Sequence, residues 1–426
     1  MFTKILHLNT LSILMLSLIA VMGCSPQPKV AVANPPSLSL QDRLGTRFYE
    51  VNAAHFKAPK VKEISVQIPD DGAAIWGATG RDSEGNIYVG VSTYAKEDRT
   101  AYLVQYDPIT EKSLLQGDVL SQLKRVNIYR QGMGQSKLHS KFYQAEDGYL
   151  YFSSFDEKGE TSEINPTWGG HLWRKLPQSV EWEHILSSED ALIAVNTDGR
   201  FVYALGYWDH VLYQYDTVTQ GINKVTVGSV KGHISRNFLV SQNGHVFVPK
   251  VEFSANNTLI VNLNEYDSAL NLVAAAPLEH YLYDNKHSQH GIVSYINMKN
   301  GDIYFVTAVG ALYKISQTSN NRHQVSFEVF LSETDEVGGY FPSLFSLNGE
   351  NFLGALGRLP NSKHYSWLVY ETSTKTIAID DVKSVDNKKL LYGSVTRDNL
   401  GNLYVVGLDQ SNRSKHQPMI LQLSYK

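Results

Sequence analysis

The sequence predicts an all-β chain folded as a seven-bladed β-propeller with four-stranded blades. Three observations lead there. A turn ending in Gly, followed by an alternating apolar strand, recurs seven times. The recurrences are nearly evenly spaced: Gly85 to Gly401 spans 316 residues in six intervals, about 53 each, close to a propeller blade. Beyond the first two dozen residues, no segment carries a long apolar period of 3.6.

The chain opens with a segment of another kind. Lys4 supplies a short positive region and Leu11 to Val21 an apolar stretch. Together they predict a secretory signal over residues 1–23 rather than a membrane span, which needs roughly 20 apolar residues. Val21-Met22-Gly23-Cys24 resembles a bacterial lipobox, in which the cysteine is acylated and becomes the first mature residue. Two or three acyl chains anchor firmly where one is marginal. The implied location is therefore the bacterial envelope, and Ser25 after the Cys resembles an outer-membrane address. Residues 24–45 are Pro-rich and polar and read as a flexible tether. Residues 46–426 form the propeller domain.

Within that domain the turns are Ser83–Gly85, Asp147-Gly148, Asp198-Gly199, Asn243-Gly244, Asn300-Gly301, Asn348-Gly349 and Leu400-Gly401. Asp-Gly and Asn-Gly favour the positive φ of tight hairpins. Each unit reads as strands A to D, with A before the glycine and B after it. Strand C commonly ends Tyr-Asp, as at Tyr106-Asp107, Tyr215-Asp216 and Tyr266-Asp267. The last unit stops at its C strand, Met419–Tyr425. The alternating stretch Val61–Ile68 precedes the first unit and supplies the missing strand, which closes the ring and leaves no long open edge.

Composition narrows the function. The chain has 426 residues, a formal charge of −4, 42% hydrophobic and 19% charged residues. This is ordinary globular chemistry and gives no electrostatic case for nucleic acid. A single cysteine excludes an intramolecular disulfide and any site with two protein thiolates. No Walker loop, G-x-S-x-G elbow or H-E-x-x-H motif is present.

Blade register supplies the candidate site. In a propeller, the start of strand A, the D–A connection and the B–C loop share one mouth. Nine residues before the glycines stand Trp76, His139, Asp190, Ser235, Ile292, Tyr340 and Tyr392, with Arg236 and His290 one or two positions away. The B–C loops add His171, Tyr207 and His210 in blades 2 and 3. Arg358, Lys363 and His364 come from blade 6, and Arg413, Lys415 and His416 from blade 7. His233 lies just ahead of Arg236. An acidic protein thus gathers cations and imidazoles at one opening, which favours a polyanionic ligand. His184, His245, His280 and His323 read as structural.

His, Tyr and Arg without paired carboxylates suit β-elimination at a uronic acid. Arg can hold the C6 carboxylate, while His and Tyr can remove the C5 proton and protonate the departing O4. The segments Lys137–Lys141, Asp147–Phe152, Gly169–Trp173 and His233–Phe238 resemble the seven-bladed ulvan lyases of marine bacteria. That resemblance implies cleavage of a sulfated rhamnose–uronate polysaccharide by two histidines, an arginine and a tyrosine, matching His139, His171 and Arg236, with Tyr207 the favoured tyrosine and Tyr213 and Tyr215 near it in sequence. On side-chain chemistry, the expected roles are carboxylate neutralisation by Arg236 with His171 and proton removal by His139 or Tyr207. Tyr207 is the preferred donor to the leaving oxygen. Substrate contacts are expected at His233, His290, Arg358, Lys363, His364, Arg413 and Lys415. No cofactor is required, and a bound divalent metal is compatible with the reading. The expected partners are an anionic polysaccharide and the membrane that holds Cys24, with the protein a monomer. Two other readings stay open: a metal-dependent lyase on another uronate polymer, and a non-catalytic glycan-binding or scaffold propeller.

Overall fold

The computed structural model describes residues 57–94, 96–282, 291–318, 322–332, 338–347, 351–412 and 415–425. The expected signal, the tether, Cys24, His290, Gly349 and Arg413 lie outside them.

The strands form seven antiparallel sheets arranged as a propeller. Blade 1 runs from Thr79–Arg81 to Lys112–Asp118, blade 2 from Lys137–Leu138 to Glu183–Ser188, and blade 3 from Ala191–Thr197 to Ile222–Thr226. Blade 4 runs from Leu239–Val240 to Leu272–Pro277, blade 5 from Ile292–Asn297 to His323–Phe330, and blade 6 from Tyr340–Ser346 to Thr376–Asp386. Blade 7 comprises Lys389–Arg397, Leu403–Asp409 and Gln417–Ser424, and its outer strand is Lys60–Ile64. Val61 pairs with Leu423 and Ile64 with Ile420, so the expected ring closure is present.

The hairpins obey the turn chemistry read from the sequence. Gly85, Gly148, Gly199, Gly244, Gly301 and Gly401 all hold positive φ, where only glycine avoids a Cβ clash. In blades 1 and 7 an aspartate folds over the turn. Asp82 accepts from the amides of Glu84 and Asn86 and from the Tyr88 hydroxyl, and Asp398 does the same for Leu400, Asn402 and Tyr404.

The core is divided into seven apolar clusters, each filling the space between two neighbouring blades. Tyr88, Leu103, Phe152, Trp173 and Trp182 join blades 1 and 2. Ile64, Ile87, Val104, Tyr404 and Ile420 join blades 7 and 1 and complete the circle. Phe152 and Trp173 both meet Trp182 edge to face, contacts worth about 0.5–1.5 kcal/mol each beyond area burial.

A short α-helix, Val119–Arg125, connects blades 1 and 2; Asp118 caps its N-terminus. It buries Val119, Leu120 and Leu123 in the cluster between those blades. At seven residues it is too short to leave a clear sequence period. No helix among the described residues is long and apolar enough to cross a membrane.

Candidate functional site

Strand A of blade 2 is broken. Lys137–Leu138 and Tyr143–Gln144 both pair with Leu150–Phe155, and residues 139–142 fall in the gap. Within the gap, the Ser140 hydroxyl binds the Ser153 amide, which anchors the segment to its blade. His139 and Lys141 are thereby freed from regular pairing near the propeller axis.

His139 Nε2 meets Arg236 Nη1 at 3.2 Å. Arginine only donates, so the contact calls for the Nε2 lone pair and a proton on Nδ1. The guanidinium of Arg236 also lies 4.8 Å over the ring of Tyr392, from blade 7. Tyr392 meets Trp76 of blade 1 edge to face at 4.8 Å. Lys137 Nζ sits 4.5 Å over Trp76. Arg236 and Arg358 both act electrostatically on Tyr340 and Tyr392. Burial pushes the Tyr392 hydroxyl up to about 12, and Arg236 opposes it. Contacts thus link Trp76, Tyr392, Arg236 and His139 in one group, with Tyr340 within the electrostatic reach of the same Arg236.

Tyr207 ends strand B of blade 3. Its ring meets Phe155 at 5.9 Å, and Phe155 meets His139 at 6.2 Å. The Tyr207 side chain is buried and its hydroxyl has no hydrogen-bond partner among the described residues. Burial pushes that hydroxyl well above its usual range; Glu160 and Glu157 add to the effect and Arg236 opposes it. Tyr207 is therefore a protonated donor at neutral pH.

The blade-2 insertion brings acids that strand register does not place. Lys137 Nζ lies 2.8 Å from Glu157 and 3.8 Å from Glu160. The mouth is therefore less purely cationic than the sequence suggests. Lys137 itself was legible, because it stands two residues before His139 in the sequence.

Other expected site residues are dispersed. His171 is buried on the opposite face of blade 2, beside Trp173, with Nδ1 within 3.1 Å of His184 Nε2 and 3.2 Å of Ser187 Oγ. Burial, then His184, lowers His171 to about 3. His171 Nε2 has no partner among the described residues. The ring lines a cavity of about 590 Å³ with Arg130, Asn165, Trp168 and Glu189. It is therefore not in the group formed by His139 and Arg236. His233 is fully buried: Nδ1 meets Ser229, Nε2 meets Tyr281, and the ring stacks on His210. This burial keeps it from the surface expected of a substrate contact.

Arg358 lies 5.8 Å over Tyr365 and lines a cavity of about 500 Å³ with Tyr340, between blades 5 and 6. Lys363 and His364 are exposed at the same blade-6 loop. Lys415 is exposed and lines a cavity with Glu63 and Asp70 at the outer part of blade 7. His416 Nδ1 pairs with the Tyr94 hydroxyl at 2.8 Å.

Below the mouth, Lys141 is buried with its Nζ 4.1 Å over the Tyr295 ring of blade 5. The Nζ has no hydrogen-bond partner among the described residues. Burial lowers this amine to about 7.

A second convergence of ligand-type side chains joins blades 4 and 5. The donor atoms of His245, Glu265 and His323 lie within 4.8 Å of one another.

No protein-family model and no curated protein sequence matches the chain. Among solved structures it is similar to the crystal structure of the Cps50 (Swd1) β-propeller domain of Myceliophteria thermophila. The TM-score is 0.50 at 10% identity, over 86% of this chain and 99% of that domain. At this identity the similarity speaks to the fold alone, and a propeller hosts many functions.

Proposed function

We propose that the mouth is the active centre of a polysaccharide lyase that cleaves a uronate-containing, ulvan-type polymer by β-elimination. The observation that carries this reading is the contact of Arg236 with His139, with the protonated Tyr207 hydroxyl in the same electrostatic neighbourhood.

In this mechanism the uronate carboxylate takes the Arg236 guanidinium. That releases the lone pair of His139 Nε2 and stabilises the charge that develops on C6. His139 removes the C5 proton, the C4=C5 double bond forms, and the C4–O4 bond breaks. Tyr207 gives its proton to O4. The site is then restored by proton transfer from the imidazolium to the phenolate through solvent. Trp76, Tyr340 and Tyr392 offer half-buried aromatic faces for sugar rings. Arg358, Lys363 and His364 extend the positive rim toward sulfate or further uronates. No cofactor enters the reaction, and the lipid on Cys24 holds the enzyme in the envelope.

The test is incubation of the protein with ulvan, pectic fragments and a neutral polysaccharide while following the ultraviolet absorbance of the unsaturated uronate. A rise with ulvan alone supports the proposal. Binding without any rise overturns it.

A further inference from the structure

Glu265 lies near the end of strand C in blade 4, and its side chain is 7% exposed. His245 Nδ1 approaches its Oε1 at 2.5 Å from the A–B turn of the same blade. His323 Nδ1 approaches the same Oε1 at 2.7 Å from strand D of blade 5. Two strands and the A–B turn of blade 4 therefore converge, from two blades, on one carboxylate oxygen. Burial pushes the Glu265 carboxyl up, but the bonds to His323 and His245 outweigh it and leave the group below its usual range. Among the described residues, the ion pairs of Glu265 are with these two imidazoles.

The setting is rigid. The His323 ring stands edge-on to Phe247 at 5.0 Å, and Phe247 belongs to the apolar cluster between blades 4 and 5. The His323 side chain is 4% exposed and that of His245 is 23%, so access is from the His245 side. The A–B and C–D turns beside these residues lie at the end of the blades opposite the mouth. This cluster is separate from the His139–Arg236 site.

We propose that His245, Glu265 and His323 form a divalent transition-metal site, of the Zn²⁺ class, that staples blade 4 to blade 5. Two imidazole nitrogens and one carboxylate oxygen suit Zn²⁺ and its first-row neighbours, whereas Ca²⁺ and Mg²⁺ prefer all-oxygen shells. Ligands of a tetrahedral ion with bonds near 2.1 Å stand about 3.4 Å apart, so each imidazole draws back from Glu265 Oε1 by roughly 1 Å to admit one. To hold the ion, each imidazole would carry its proton on Nε2 and present the Nδ1 lone pair, Glu265 would supply Oε1, and water would complete the coordination.

The experiment uses the mature chain without an affinity tag, stripped with a chelator. It is titrated calorimetrically with ZnCl₂ and, separately, CaCl₂, and its thermal unfolding is followed by circular dichroism. The expected result is one Zn²⁺ per chain with a higher Tm, and no response to Ca²⁺. His323→Ala and Glu265→Gln weaken Zn²⁺ binding by more than the ~10–100-fold that outer-shell changes cost, and abolish the Tm rise. If His323→Ala fails to fold, His245→Ala, the most exposed of the three, carries the same expectation. No Zn²⁺ binding by the folded stripped protein, full binding by the folded variants, or binding without a Tm rise overturns the proposal.

Discussion

Arg236 Nη1 stands 3.2 Å from His139 Nε2, two residues 97 positions apart in the chain and drawn from blades 2 and 4. In the proposed mechanism the two act as a unit: Arg236 occupies the His139 Nε2 lone pair until the substrate carboxylate takes its place. His139→Ala lowers turnover by about 10²–10⁴-fold, the usual worth of a general base. Arg236→Ala lowers it comparably. The double variant loses little more than either single one, because coupled groups are not additive. Initial rates of absorbance increase on ulvan measure all three.

Tyr207 separates chemistry from stability. Its hydroxyl has no partner among the described residues, so Tyr207→Phe removes no hydrogen bond. The variant keeps the wild-type Tm or rises slightly, since a buried unpaired polar group is removed. Its turnover on ulvan falls at least tenfold if O4 takes its proton from this residue. Wild-type turnover in Tyr207→Phe removes the residue from the mechanism.

Lys141 makes stability pH-dependent. The folded amine titrates at about 7 and the unfolded one at 10.5, because burial disfavours the charge. Between those values the unfolded chain binds more protons, so stability rises with pH. Lys141→Met removes this contribution and is more stable than wild type at pH 6. Urea midpoints of the two proteins from pH 6 to 10 converge as pH rises.

The His171–His184 pair works in the acid range. Burial lowers His171 to about 3 and His184 to about 4, against 6.5 in the unfolded chain. Stability is full above pH 6.5 and falls as pH drops toward 4, because the unfolded chain takes the protons first. His184→Gln flattens this dependence, as read from unfolding midpoints between pH 7 and 4.

Ring closure is testable by truncation. Removing residues up to Ser65 deletes the strand that pairs with Gln417–Ser424 and takes Ile64 from the cluster between blades 7 and 1. A buried isoleucine alone is worth about 1.5–3 kcal/mol. Calorimetry of the truncated chain shows a lower Tm and a broader transition.

The turns and the closing strand were legible because both repeat a local rule: positive φ at glycine, and alternation along an unpaired strand. His139, Tyr392 and Arg236 were legible because register transfers from blade to blade. Side-chain direction was harder. His171 shares a strand face with Trp173, two residues on, and that face is packed between blades 1 and 2. The same alternation in the sequence pointed inward, and the loop position masked it. His233 follows the same lesson, since its partner Tyr281 comes from the connection between blades 4 and 5, 48 residues away. Glu157 and Glu160 sit in an insertion with no counterpart in other blades, so nothing in the repeat could place them. The His245–Glu265–His323 convergence needs two blades to be docked before it exists.

The pairing of Lys60–Ile64 with Gln417–Ser424 also sets a clock. The first strand of the domain to be synthesised is the last to find its neighbour, so Lys60–Ile64 waits unpaired until nearly the whole domain has emerged. Contacts this distant in sequence form slowly. Through that interval the unpaired strand is open to pairing with other chains. Blades 1 to 6 can assemble in order of synthesis, whereas completion of the ring is a single late event that depends on both ends of the domain at once.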